Sequence, residues 1–128
     1  MSHVATRTSF GELAALASGP ADGAPVLVLH GFPDLPTSFL PLALALAADG
    51  RRVIAPWLPG YAPSPTDGDH DPRAVVDRLA RSLPGDARIA VVGHAWGALL
   101  AYGLAARHPG LVRRVVAASV PPPRAFLA

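Results

Sequence analysis

The chain predicts an α/β fold: a mostly parallel sheet covered by helices on both faces, preceded by an antiparallel N-terminal hairpin. Three observations carry this. Continuous apolar runs of strand length, Val26–Leu29 among them, end at Gly or Pro, as strands buried on both faces do. Segments of helical length and pattern alternate with those runs. Gly, Pro and Asp cluster between them rather than within them.

Taken in order, residues 3–10 and 12–17 alternate loosely about Gly11 and read as the hairpin. "APVLVLHGFP" is the first buried strand, stopped by Gly31 and Pro33. "PTSFLPLALALAADG" is apolar nearly all round, with Thr37 or Ser38 as its cap and Asp49-Gly50 as its end, so a helix packed on the sheet is expected. "RRVIAPW" is a second buried strand, and "LPGYAPSPTDGDHDP" a long loop. Asp71-Pro72 then forms a cap and first helical position. Val75, Val76, Leu79, Ala80 and Leu83 recur at helical spacing, with Asp77 and Arg81 placed to pair on the wet side. "RIAVVGH" is a third strand and "GALLAYGLAARHPG" a helix in which His108 is placed to satisfy the last carbonyls. A fourth strand over 112–120 leads into "PPPRAFLA", a stop signal or the start of a linker.

Composition narrows the function. The chain has 128 residues, 51% hydrophobic and 16% charged, which is enough for one domain, 1–128, with a packed core. No cysteine is present, so disulfides and cysteine-based metal sites are excluded. The five histidines are dispersed without ligand spacing, and no phosphate-binding Gly-rich motif occurs; no metal and no cofactor are expected. Every basic residue is Arg, and the net charge of +2 is small and scattered, so no nucleic-acid partner is expected. No stretch reaches membrane-span length and the N-terminus lacks a signal-peptide pattern, so a cytoplasmic protein without a membrane partner is the expectation.

The strongest chemical signal is Gly93-His94-Ala95-Trp96-Gly97, between a strand and a helix. In the pattern G-x-nucleophile-x-G, the sharp strand-to-helix turn holds its middle residue in strained backbone and lifts the side chain over the sheet. The flanking glycines allow strand and helix to approach closely, and the helix N-terminus turns its partial positive charge to the site. A glycine-bracketed turn without chemistry is the bland alternative. The second signal is His30-Gly31-Phe32-Pro33-Asp34 at the end of the first parallel strand.

Together "LHGFPD", "PWLPGYAPSP", "VVGHAWGA" and "RRVVAASVPPPRAF" resemble the α/β-hydrolase family, within it the epoxide hydrolase and haloalkane dehalogenase branch, over the whole chain. The resemblance implies an oxyanion hole from the backbone N–H groups of Phe32 and Trp96, with His30, Gly31, Pro33, Asp34, Gly93, His94 and Gly97 shaping the site. It implies a small hydrophobic substrate in an intact relative. Where the family has Asp or Ser, this chain has Ala95, and a methyl group cannot attack; loss of a nucleophile costs roughly 10⁴–10⁶-fold in rate by analogy with serine enzymes. The family's acid and histidine follow the nucleophile in the chain, yet no Asp or Glu follows Asp86 and the only later histidine is His108. The expectation is therefore the N-terminal portion of an α/β-hydrolase fold, ending at the cap junction, with no cap domain, and inactive as written. Tyr61 is expected near the site and Tyr102 in the core; Ser64 and Ser38 are weak alternative nucleophiles. The other reading is a non-catalytic binding or assembly module, forming a homodimer or meeting a complementing chain at the edge strand 112–120.

Overall fold

A computed structural model describes residues 4–83 and 88–122. The hairpin strands are β1 (Thr6–Phe10) and β2 (Leu13–Ser18), turning at Gly11 with φ 59°. There follow β3 (Ala24–Leu29), α1 (Leu40–Ala48), β4 (Arg51–Pro56), α2 (Pro72–Ser82), β5 (Ile89–His94), α3 (Trp96–Arg107) and β6 (Val112–Ala118). They form one six-stranded sheet in the order β1-β2-β4-β3-β5-β6. β1–β2 and β2–β4 are antiparallel; the β4–β3, β3–β5 and β5–β6 pairs are parallel. The sheet is thus the mixed, mostly parallel one expected from the sequence.

Each face of the sheet has its own core. On one face, Leu27, Leu29, Ile89 and Val91 pack with Val75, Val76 and Leu79 of α2 and Leu100, Ala101 and Leu104 of α3. On the other, Val26, Val28, Val53 and Ala55 pack under Ala43 of α1. The in-register pairs Val26–Val53 and Leu27–Ile54 explain the split, since successive strand residues point to opposite faces.

Several local expectations are corrected. Neither Thr37 nor Ser38 caps α1. Pro36–Phe39 forms a 3-10 turn instead, and α1 begins after Phe39 with no side-chain cap, because the Ser38 hydroxyl is used by Asp34. α1 is apolar nearly all round, yet only one side meets the sheet: Ala43 and Ala47 are buried and Leu46 packs beside them, while Leu42 reaches solvent. Asp77 does not pair with Arg81. Its carboxylate accepts from Arg107 Nη2 at 2.7 Å and meets His108 Nε2 at 2.8 Å, joining α2 to the end of α3. His108 therefore serves Asp77 with its ring, and only its backbone N–H, at 2.8 Å from the Leu104 oxygen, closes the helix. The last strand ends at Ala118 rather than 120, because Ser119 turns to φ 74°. Tyr102 is only half-buried, and its hydroxyl donates to the Val120 carbonyl at 2.8 Å. Asp71 caps α2 as expected, accepting from the Arg73 amide at 2.9 Å. From Pro123 onward, "PRAFLA" lies outside the described residues.

Candidate active site

Parallel strands deliver their C-terminal ends, and the loops after them, to one edge of the sheet. There β3 and β5 lie side by side, with Leu29 in register with Gly93. The loop at 30–34 and the turn at 93–97 are consequently neighbours, although far apart in sequence.

The turn has the backbone that its sequence demands. Ala95 has φ 54° and ψ −115°, a conformation unfavourable for any residue with a Cβ. It is held from both sides: its N–H donates to the Ala118 carbonyl at 3.0 Å, and its carbonyl accepts from Ala98 N at 2.9 Å. Gly93 and Gly97 are required by proximity. A Cβ on Gly97 would run into the Leu29 carbonyl, and one on Gly93 into the Gly97 carbonyl. The Ala95 methyl faces the other loop, since a Cβ at Gly31 would lie 3.0 Å from it and 2.9 Å from the His94 carbonyl. The amides of Phe32 and Trp96 flank this contact, and neither has a hydrogen-bond partner among the described residues. Trp96 is the first residue of α3, so its N–H is one of the four a helix start leaves open.

His30 is buried and fully committed. Its Nδ1 lies 2.8 Å from the Gly31 carbonyl, and its Nε2 lies 3.1 Å from the Leu58 amide. A carbonyl can only accept and an amide N–H can only donate, so Nδ1 carries the proton and Nε2 accepts. Burial pushes its pKa below the ordinary 6.5, against the opposing pull of the Gly31 hydrogen bond and the Asp34 charge. His30 is thus a neutral brace between the 30–34 loop and the loop after β4. Tyr61, in that second loop, meets His30 edge-on at 4.7 Å between ring centroids and Phe32 at 6.4 Å. Burial, and then the Asp34 charge, raise the Tyr61 pKa, so its hydroxyl stays protonated.

Asp34 is exposed. Its carboxylate accepts from the Ser38 hydroxyl and from the Leu35 amide at 2.8 Å, and chiefly the Ser38 bond lowers its pKa. Pro33 and Asp34 line a shallow hollow with Leu35, Ser38 and Tyr61. The Phe32 side chain, 75% exposed, stands at its margin, whereas Trp96 packs against the core on the α3 side. His94 is half-buried, its ring 6.4 Å from that of Phe39.

Two residues of this construction were not legible in the sequence. Leu58 acts through its backbone amide, which has no residue-specific signature. Ser64, buried, donates to the Trp57 carbonyl at 2.6 Å and accepts from Ala14 N at 3.0 Å, so it anchors the Tyr61 loop to β2 rather than offering a nucleophile. Its only sequence signal is a lone Ser in a Pro-rich loop. Among the described residues no cluster of His, Asp or Glu could hold a metal ion, and no helix is long and apolar enough to cross a membrane.

Residues 24–127 match the family model for the alpha/beta hydrolase fold. The chain belongs to the α/β-hydrolase family. Within it, the resemblance is to the epoxide hydrolase-like branch. This α/β-hydrolase chain is 35% identical over 114 residues to epoxide hydrolase 2 of Siraitia grosvenorii, covering 85% of the chain and 35% of that relative. It is 38% identical to epoxide hydrolase A of Mycobacterium tuberculosis, over 77% of the chain and 33% of the relative. A haloalkane dehalogenase of Mycobacterium marinum is 30% identical, over 90% of the chain and 40% of the relative. Among solved structures, an epoxide hydrolase of Vigna radiata superposes with a TM-score of 0.76 at 28% identity, covering 94% of the chain and 41% of that structure. A thioesterase domain from the curacin biosynthetic pathway superposes with a TM-score of 0.72 at 28% identity, over 91% and 46%. The α/β-hydrolase chain spans between 33% and 40% of the length of these curated relatives.

Proposed function

We propose that the contact between the 30–34 loop and the 93–97 turn is the substrate cradle of an epoxide hydrolase-like protein whose attacking atom is absent. In this reading the Phe32 and Trp96 amides form the oxyanion hole and hold a ligand oxygen over residue 95. The ligand is a small hydrophobic epoxide or haloalkane, the substrates after which the relatives are named. Ala95 permits binding but no covalent step, and the 128 residues by themselves do not hydrolyse. The observation that carries this reading is Ala95 itself: a strained backbone is retained at the one position where a nucleophile would use it, beside two unpartnered amides. Nothing in the reading calls for a metal or a cofactor. His30, with both ring nitrogens engaged, is a brace and not a base.

Restoring a carboxylate tests this. In Ala95→Asp, the new oxygen attacks an epoxide carbon or displaces bromide from an alkyl bromide, forming a C–O ester bond. The ring oxygen takes a proton from water in the first case, and bromide leaves in the second. With no acidic residue after Asp86 and His108 tied to Asp77, the ester persists and intact-mass spectrometry reads one adduct per chain. The unsubstituted chain gives none. Turnover or an adduct in the unsubstituted chain, or no adduct in Ala95→Asp, overturns the reading.

A second reading, assembly through the sheet edge, is favoured by β6. Among the described residues it pairs only with β5, and its Val116 is 54% exposed. In that reading a second chain pairs with β6, and the cradle plays no part.

A further inference from the structure

We propose that a cleft at the opposite end of the parallel strands binds a small phosphate-type dianion. The cleft, of about 370 Å³, lies between the α1–β4 turn and the start of β6. Arg51, Arg113 and Arg114 line it, over a floor of Ala24, Pro25 and Ala90. The strand pairing explains how the three guanidinium groups come together. Arg51 opens β4 opposite Ala24, and Val26, two residues along β3, pairs with Ala90 of β5, which in turn pairs with Arg114. The small floor residues leave the space that the long side chains enclose.

Arg113 and Arg114 are adjacent in sequence, and on a regular strand they would point to opposite faces. Here the β5–β6 register breaks: Ile89 pairs with Val112 and Ala90 with Arg114, so the pairing skips Arg113. A bulge of this kind redirects a side chain, and it accounts for both arginines lining one cleft.

The neighbouring arginines are occupied and these are not. Arg52 Nη1 donates to the Gly19 carbonyl at 2.9 Å, and Arg88 Nη2 to the Val112 carbonyl at 3.3 Å. Arg113 and Arg114 are exposed and form no ion pair with a described residue. Arg51 has only a loose partner, Asp49, at 3.9 Å. Among the described residues, Asp49 is the one carboxylate lining the cleft. Three cations against one anion leave two positive charges, the complement of a dianion. Guanidinium forks match tetrahedral oxyanions in pairs. At the end of α1 the oxygens of Ala45, Leu46 and Ala47 already accept from the amides of Asp49 and Gly50, which reduces the open carbonyls that would oppose an anion.

The test is calorimetric titration of the chain with inorganic phosphate, at an ionic strength held constant with chloride. One saturable site is expected. The Arg113→Gln/Arg114→Gln double variant should bind at least about tenfold more weakly, while Arg73→Gln, at an exposed position of α2, should bind as the parent does. Thermal melting that matches the parent establishes that the double variant is folded, as expected for exposed positions. No saturable heat, equal affinity in the double variant, or an equal loss in Arg73→Gln overturns the proposal.

Discussion

At the scale of single residues, Ala95 and His30 set the terms. Ala95 carries its Cβ at φ 54°, where glycine rests without strain. Ala95→Gly should therefore stabilise the fold by about 1 kcal/mol, the relief of strain exceeding the added freedom of the unfolded chain. Equilibrium urea unfolding reads this directly. Gly97→Ala should act the other way, costing about 3 kcal/mol, because its methyl would meet the Leu29 backbone, which cannot move aside. His30 makes a pH prediction. Its folded pKa lies below 6.5, so under acid the unfolded chain takes up a proton that the folded chain refuses. Its contribution is complete above 6.5 and is lost as pH falls through the lowered folded value. His30→Gln should cost about 1–3 kcal/mol at pH 7.5, and the gap from the parent should narrow steadily at more acid pH. The 93–97 turn and its glycines were legible because close approach and positive φ restrict the residue types allowed. The roles of Leu58 and Ser64 were not, because a backbone amide and a hydroxyl bridge depend on which loops meet in space.

At the scale of elements, the order and type of strands and helices followed from their apolar runs, with ends shifted at β1, α1 and β6, while the contacts between them did not. The Asp77 and Arg81 spacing allows a pair within one helix. The structure prefers a contact between helices because Arg107 and His108, at the end of α3, bring two donors to the same carboxylate. Sequence spacing carries no information about that juxtaposition. Similarly, a cap on α1 was legible in residue type, yet Ser38 serves Asp34 instead. The hydrogen bonds from Arg107 and then His108 hold the Asp77 pKa at about 2, below its ordinary 3.8. A lowered carboxylate pKa contributes stability that is fully present above 3.8 and is lost as pH falls through about 2. Asp77→Asn should accordingly be less stable than the parent at neutral pH, with the two acid-unfolding curves converging across that window. Parallel curves down to pH 2 would show that the pair does not hold α2 to α3.

At the scale of the whole molecule, the sheet is closed on one side and open on the other. The hairpin shields the β4 side: β2 pairs with β4, and the short, outermost β1 carries mostly polar residues. The β6 side has no such shield among the described residues. Val92 of β5 packs against the core under α1, and Val116, its in-register partner on β6, continues that apolar row into solvent. An unpaired backbone edge bordered by an apolar row is the arrangement from which sheets extend. A second copy paired antiparallel about Val116 would set Val116 against Val116, and Arg114 against Ala118, so the arginine ends would lie apart. Sedimentation at rising concentration should then show reversible association of the chain. Val116→Lys, which sets like charges across the twofold, should keep the chain monomeric without lowering its melting temperature, since the residue is exposed. Association that is equally strong in Val116→Lys would place the contact elsewhere, and a monomer at every concentration would remove the assembly reading while leaving the substrate cradle untouched.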